Sequence, residues 1–198
     1  MDSKGITMKK LSTYLFLVLF SFSAPSFADD IRDFQIEGMS VGDSLLDHFS
    51  ESEIKNNDLK YYKNKKFIII GFTNHPKLKI YDWLEIAHKR NDKKYIIHTL
   101  SGVLAYRNDF KGCLAKKKEI TGEFEVIFST KPIIGSSYSH PADISGKSKV
   151  ENTEFILDNG FAIISCIDWS KKMEQEFFDH LKVWIGTMEF YDFVVSNP

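Results

Sequence analysis

VENTEFILDNGFAIISCIDWS, residues 150–170, decides how the rest of the chain is read. Two apolar runs flank Asn159-Gly160, a pair that tolerates positive φ and is a strong short-range signal for a β-hairpin. With those two residues as the loop, Asp158 pairs with Phe161 and the register follows. Phe155, Leu157, Ala162, Ile164 and Cys166 then share one face, and Ile156, Phe161, Ile163, Ile167 and Trp169 share the other. Both faces are apolar. The strand from Phe161 to Trp169 is therefore expected to be central to a sheet and covered on both sides.

Downstream, Lys171 to Asp179 is a charged connector and His180 to Ile185 a strand. Thr187 then caps a short helix carrying Phe190, Tyr191, Phe193 and Val194. Upstream, Lys131 to Lys149 has no period and carries Pro132, Gly135, Pro141 and Gly146. It is expected to be a long loop, a feature that goes with function or mobility. Before it, Phe110, Cys113, Leu114, Ile120, Phe124, Ile127 and Phe128 recur at helical spacing, with Asn108 or Asp109 as the N-cap.

Three strands come earlier: Lys66 to Phe72, Lys79 to His88 and Lys94 to Tyr106. Tyr61-Tyr62 before the Lys63-Asn64-Lys65 turn is a candidate for a further short one. With Asn91-Asp92 at the tip of the 90–93 turn, Arg90 pairs with Lys93 and His98 falls opposite Glu85. His88 and His98 then point to opposite faces of the sheet. Ser40 with Asp43 reads as a capping box that opens a helix from Val41 to Ile54, and Ser50 with Glu53 repeats the pattern. Helix, strands, helix, strands, helix predicts an α+β fold: a single domain whose largely antiparallel sheet of five to seven strands packs against two or three helices.

The N-terminal segment reads as an address. Met8-Lys9-Lys10 is a positive end, Leu11 to Phe22 an apolar core and Ser26-Phe27-Ala28 a small-x-small cleavage site. Residues 1–28 are accordingly expected to be a cleaved signal peptide and residues 29–198 a single globular domain in the periplasm or outside the cell, with no membrane insertion after cleavage. Without Asp2, Lys4, Lys9 and Lys10 the formal charge moves from −1 to −3, which gives no global attraction to nucleic acid. Cys113 and Cys166 are the only cysteines, and an even count in an oxidising compartment favours a disulfide over two buried thiols.

Gly42-Asp43-Ser44-Leu45 spells the tetrapeptide that names the GDSL esterases and lipases, in which the serine is the nucleophile. The rest of that pattern is missing: Asn108-Asp109 follows Tyr106-Arg107 instead of Gly-x, and His180 has Phe177 in place of an aspartate three residues before it. Ser145-Gly146-Lys147-Ser148 echoes the end of a P-loop, but Pro141 stands where the first glycine belongs. His140, Asp143, Ser145 and Lys147 lie close together and form the candidate ligand-binding group. The competing reading is a turn in which Asp143 and Ser145 bond local backbone amides. Trp83, Trp169 and Trp184, with Tyr81 and Tyr191, are either a sugar- or peptide-binding platform or core residues, the commoner role of aromatics in strands. The histidines do not cluster, so no metal and no cofactor is indicated.

FQIEGMSVGDSLL (Phe34 to Leu46), SGKS (Ser145 to Ser148), FILDNG (Phe155 to Gly160) and CIDWS (Cys166 to Ser170) together resemble an uncharacterised family of small exported bacterial proteins. The resemblance implies export and a single domain, with no assigned catalytic residues. Its members also carry a cysteine early in the middle helix and another before Asp-Trp-Ser, which agrees with a Cys113–Cys166 bond. The functional expectation is a non-catalytic module that binds a protein or small-molecule partner in the periplasm. The alternatives are a small hydrolase using Ser44 or the His140–Ser145 loop, and a structural component of the envelope.

Overall fold

The computed structural model describes residues 30–62, 66–128 and 133–197, so the expected signal peptide and the 63–65 turn lie outside the described residues. The chain forms a two-stranded ribbon, β1 (Gln35–Ile36) and β2 (Met39–Ser40), then a short helix, α1 (Glu51–Asn56). Three strands follow: β3 (Phe67–Thr73), β4 (Trp83–Lys89) and β5 (Ile97–Ala105). The long helix α2 (Phe110–Phe128) leads to β6 (Ile133–Ser139), β7 (Lys149–Leu157), β8 (Gly160–Asp168) and β9 (His180–Thr187), and α3 (Met188–Val195) ends the described fold. The main sheet has seven strands in the order β3-β4-β5-β9-β8-β7-β6, and every neighbouring pair is antiparallel. The fold is thus α+β in one domain, as the alternation of apolar patterns predicts.

Strand β8 carries the core. Its residues from Gly160 to Ile167 are all buried, because β7 and β9 flank it and both faces are covered. Phe155, Ala162, Ile164 and Cys166 join the main core beneath α2 with Phe124 and Phe128, while Phe161 and Ile163 join Phe190 and Phe193 of α3 on the opposite face. The middle position of the sheet belongs to β9, one strand away from the expected centre. Cys113 and Cys166 are bonded, with Cα atoms 6.0 Å apart, so α2 is tied to β8 covalently as well as by packing.

The two faces of the hairpin are the expected ones, but its register is not. Leu157 pairs with Gly160 and Ile156 with Phe161, so Asp158-Asn159 is the loop and neither residue has positive φ. The slip is two residues, an even number, so every side chain keeps its face. Gly160 is required by crowding rather than by conformation. A Cβ there would lie 2.5 Å from the Gly186 carbonyl oxygen and 2.6 Å from Ile31 Cγ2.

Three other expectations are corrected. The expected helix from Val41 to Ile54 is broken: Gly42 has φ +98°, and the Gly42 and Leu45 amides donate to the Ile97 and Tyr95 carbonyls. Long-range partners take the donors a helix would have used, leaving a 3₁₀ turn at Leu45–Asp47 and then α1, which does have the Ser50–Glu53 capping box. In the β4–β5 hairpin, the Asp92 carboxylate accepts from the Lys94 and Ile96 amides and winds the turn further than its sequence suggests. A bulge follows, and Glu85 faces Ser101 instead of His98. Finally, the stretch expected to be a loop is partly strand. Residues 133–139 add β6 to the edge of the sheet through pairing with β7, with an irregularity between Ile134 and Ser137.

Two stability outcomes follow from this packing. Gly160→Ala is expected to destabilise by about 2 kcal/mol through overpacking, read as a lower urea midpoint with an unchanged slope. Replacing both cysteines by alanine opens a bond that spans 53 residues and is expected to remove about 4 kcal/mol in the chain-entropy limit, read by denaturant unfolding of the oxidised protein beside the double variant.

Candidate functional site

The residues singled out as candidate ligands separate in the structure. Asp143 is buried at the centre of a turn: one carboxylate oxygen accepts from the Ser145 amide (2.9 Å) and hydroxyl (2.7 Å), the other from the Ser148 amide (3.0 Å) and hydroxyl (2.7 Å). Those bonds from Ser148 and Ser145 hold its carboxyl well below the usual carboxylate range. Asp143 is consumed by the local turn, the competing reading of that sequence. Ser145 and Lys147 border a depression of about 760 Å³ whose charged lining includes Lys149, Lys171, Asp168 and Asp179. His140 leaves the group and packs its ring on Trp169, with centroids 4.3 Å apart. Ser44 donates its hydroxyl proton to the Lys94 carbonyl (2.7 Å) and accepts from the Leu46 amide (3.2 Å), so it caps the 3₁₀ turn and has backbone partners on both sides.

A different constellation emerges on the sheet face turned away from α2. Alternation along the strands places Trp83 and Glu85 of β4, Val103 of β5, His180 and Lys182 of β9 and Ile167 of β8 on that face. Packing by α3 closes one end of it and residues 169–178 close the other, where Trp169 packs with Val150, Ile167 and Met173. Between them lies a cleft of about 520 Å³, to which the 61–62 segment contributes Tyr61 and Tyr62, and the connector Glu176, Phe177 and Phe178. Phe177 stacks on Trp169 with centroids 4.6 Å apart and remains 41% exposed, forming one rim; Tyr61, 55% exposed, forms part of another. Room for Trp83 comes from Gly71 on β3, where a Cβ would lie 3.1 Å from the indole nitrogen.

Glu85 and Lys182 form the floor. The Lys182 ammonium donates to Glu85 Oε2 at 2.6 Å, and the Tyr61 hydroxyl donates to Oε1 at 3.0 Å. The same ammonium lies 5.4 Å from the Trp184 ring centroid. Burial alone would raise the Glu85 pKa, but the Lys182 charge and the hydrogen bonds from Lys182 and Tyr61 outweigh it and leave the pKa lowered. Burial pushes the imidazoles of His140 and His180 below the ordinary histidine value, and the Lys182 charge adds to the effect. Both rings are thereby biased toward the neutral form.

Hydrogen bonding assigns their tautomers. His180 Nδ1 lies 2.7 Å from the Phe178 carbonyl oxygen, which can only accept, so Nδ1 carries the proton and Nε2 is an acceptor. His140 Nδ1 accepts from the Ala142 amide at 3.2 Å, so in the neutral ring Nε2 carries the proton and is a donor. Among the described residues no group of three or more His, Cys, Asp or Glu side chains could hold a metal ion, and no helix is long and apolar enough to cross a membrane.

Two of the five aromatic platform candidates, Trp83 and Trp169, line this cleft; Trp184 borders its floor, while Tyr81 and Tyr191 pack in the two cores. Glu85, Lys182 and His180 are the residues that sequence reading passed over. The signal for Glu85 and Lys182 is a charged residue two positions from a tryptophan of the same strand parity: Trp83 with Glu85, and Lys182 with Trp184. The Glu85–Lys182 pair is part-buried, with side chains 13% and 25% exposed. Lys182→Met is expected to cost about 2 kcal/mol by stranding the carboxylate, less than the roughly 3–5 kcal/mol of a fully buried pair. Adding Glu85→Gln should restore most of that loss in a denaturant titration.

The histidines predict a pH dependence of defined sign. A histidine whose folded pKa lies below its unfolded value contributes stability that is complete above that unfolded value and is lost as pH falls toward the folded one. Stability should therefore decline as pH drops below the ordinary histidine value of 6.5, and His180→Asn should flatten that slope in urea midpoints measured across the range.

Comparison of the chain with protein-family models, with curated proteins and with solved structures finds no match.

Proposed function

We propose that this chain is an exported, non-catalytic binding protein that holds a small-molecule ligand in the cleft between Trp83 and Phe177. The observation that carries the reading is the cleft itself: about 520 Å³, walled by aromatic rings, with one charged pair at its floor. That combination of apolar walls and a few convergent polar groups is the usual make-up of a small-molecule site, and the volume falls in the ordinary range of about 300–1,000 Å³. The Cys113–Cys166 bond supports an oxidising compartment, and the lysine-led apolar segment ending at Ala28 supports export by a cleaved leader. Ser44 does not support a hydrolase, since its hydroxyl proton is held by a carbonyl oxygen and not by a base.

Two measurements test the reading. Expression of the full chain in a Gram-negative host should yield, in the periplasmic fraction, a species beginning at Asp29 with both thiols blocked; cytoplasmic retention with free thiols would overturn export. Titration with 1-anilinonaphthalene-8-sulfonate should give a saturable single-site emission change, and Phe177→Ala should weaken it about fivefold, the effect of ~1 kcal/mol of lost ring contact. An unsaturable response, equal in the variant, would overturn the site.

A further inference from the structure

Resting on the cleft reading, the residues at its floor narrow the ligand to one chemical class. We infer that the cleft takes a neutral polyhydroxylated ligand, a saccharide of one or two rings, whose hydroxyl groups bridge Glu85 and Lys182 while its ring faces lie against Phe177 and Trp83.

Lys182 meets Glu85 at 2.6 Å, so the floor presents a cancelled pair, and Glu176 is the other charged residue in the lining. Among the described residues a simple anion finds no uncompensated cation in the lining, and a simple cation finds only the exposed Glu176 apart from the carboxylate already paired with Lys182. A wholly apolar ligand fits the walls, but it removes water from the remaining donors of Lys182 and the remaining lone pairs of Glu85 without replacing those hydrogen bonds. Stranding such groups costs about 1–3 kcal/mol each, and more when they are charged.

A hydroxyl group both donates and accepts, so neighbouring hydroxyls on one ring match a floor where an ammonium and a carboxylate lie side by side. The histidines extend the same pattern. Among the described residues, the ring nitrogen that remains uncommitted is an acceptor in His180 and a donor in neutral His140, and both side chains line the cleft. Among the described residues the buried indole N–H groups of Trp83 and Trp169 have no acceptor, whereas the indole of Trp184 is bonded to the Thr99 hydroxyl. The walls supply what hydroxyls do not use. Aromatic faces accommodate the C–H faces of a sugar ring, and Phe177 stacked on Trp169 offers such a surface at the rim.

The test uses the mature, oxidised protein and two kinds of probe followed by tryptophan fluorescence and calorimetry. A panel of glucose, maltose, cellobiose and N,N′-diacetylchitobiose should contain at least one saccharide with Kd of about 1 mM or tighter. Indole-3-acetate serves as an aromatic anion of similar length. The double variant Glu85→Gln with Lys182→Met keeps the walls and removes the floor's charges; it should weaken the saccharide at least tenfold and leave indole-3-acetate within about twofold, a difference of ~1 kcal/mol or more. Phe177→Ala should weaken both. Saccharide affinity that survives the double variant, or binding of indole-3-acetate with no response to any saccharide, would overturn the saccharide inference and leave the cleft as a binding site. Silence toward both probe classes would overturn the cleft reading as well.

Discussion

Burial of β8 on both faces is the constraint from which the rest of the architecture follows. A strand with apolar side chains on both sides needs two cover layers, and this chain supplies them from opposite directions along the sequence. Helix α2 precedes β8 and covers one face through Phe124, Phe128 and the Cys113–Cys166 bond; α3 follows it and covers the other through Phe190 and Phe193. The covalent tie matters because α2 is a weakly amphipathic helix, with lysines at 116–118 and only four buried residues, Cys113, Ile120, Phe124 and Phe128. Most helical stability in proteins comes from packing of such a face, and the sulfur bridge fixes where that packing occurs.

The cover layers differ in extent, and the difference creates the cleft. Helix α2 runs for 19 residues and α3 for 8, so the face away from α2 is closed by a short helix at one end and by the 169–178 connector at the other. Sheet between the two ends keeps contact with solvent, which allows Glu85 and Lys182 to occupy positions that would be apolar in a fully covered strand. Ser165 donates to Asn152 (2.7 Å), and Asn152 in turn donates to the Tyr138 hydroxyl (3.1 Å), so the polar stripe continues across β7 toward the edge strand. Here the polar residues have partners: Ser165, Asn152 and Tyr138 on strands that follow one another in the chain, and Glu85 and Lys182 on strands far apart in it.

Turns in this protein are tied by carboxylates that accept backbone amides. Asp143 closes the β6–β7 connection, Asp92 winds the β4–β5 turn, and Glu37 of the β1–β2 ribbon accepts from the amides of Lys79, Ile80 and Tyr81 at 2.8–2.9 Å. Asp179 accepts from the Trp169 amide at 2.8 Å and thereby holds the wall of the cleft. An acidic side chain that saturates its oxygens with local donors has little capacity left for a ligand. This separates Asp143, a structural residue, from Glu85, whose partners are the side chains Lys182 and Tyr61.

Much of the fold was legible in the residues alone. Periodicity located α2, α3 and the strand pair around Asn159; side-chain parity sorted the faces of β8 correctly although the turn is displaced, since a slip of two residues preserves parity. Cysteine parity suggested the bond that the structure contains. What the residues alone left open is what depends on partners distant in sequence. Val41–Asp43 has helical capping chemistry but gives its hydrogen bonds to β5; residues 133–139 look like loop and become strand because β7 offers an edge. The cleft belongs to the same category. Trp83, Glu85, Phe177 and Lys182 are ordinary members of three separate segments, and only the sheet order β4-β5-β9, with the connector folded over it, brings them around one space. Local propensity is set by neighbours along the chain, whereas a site is set by neighbours across it.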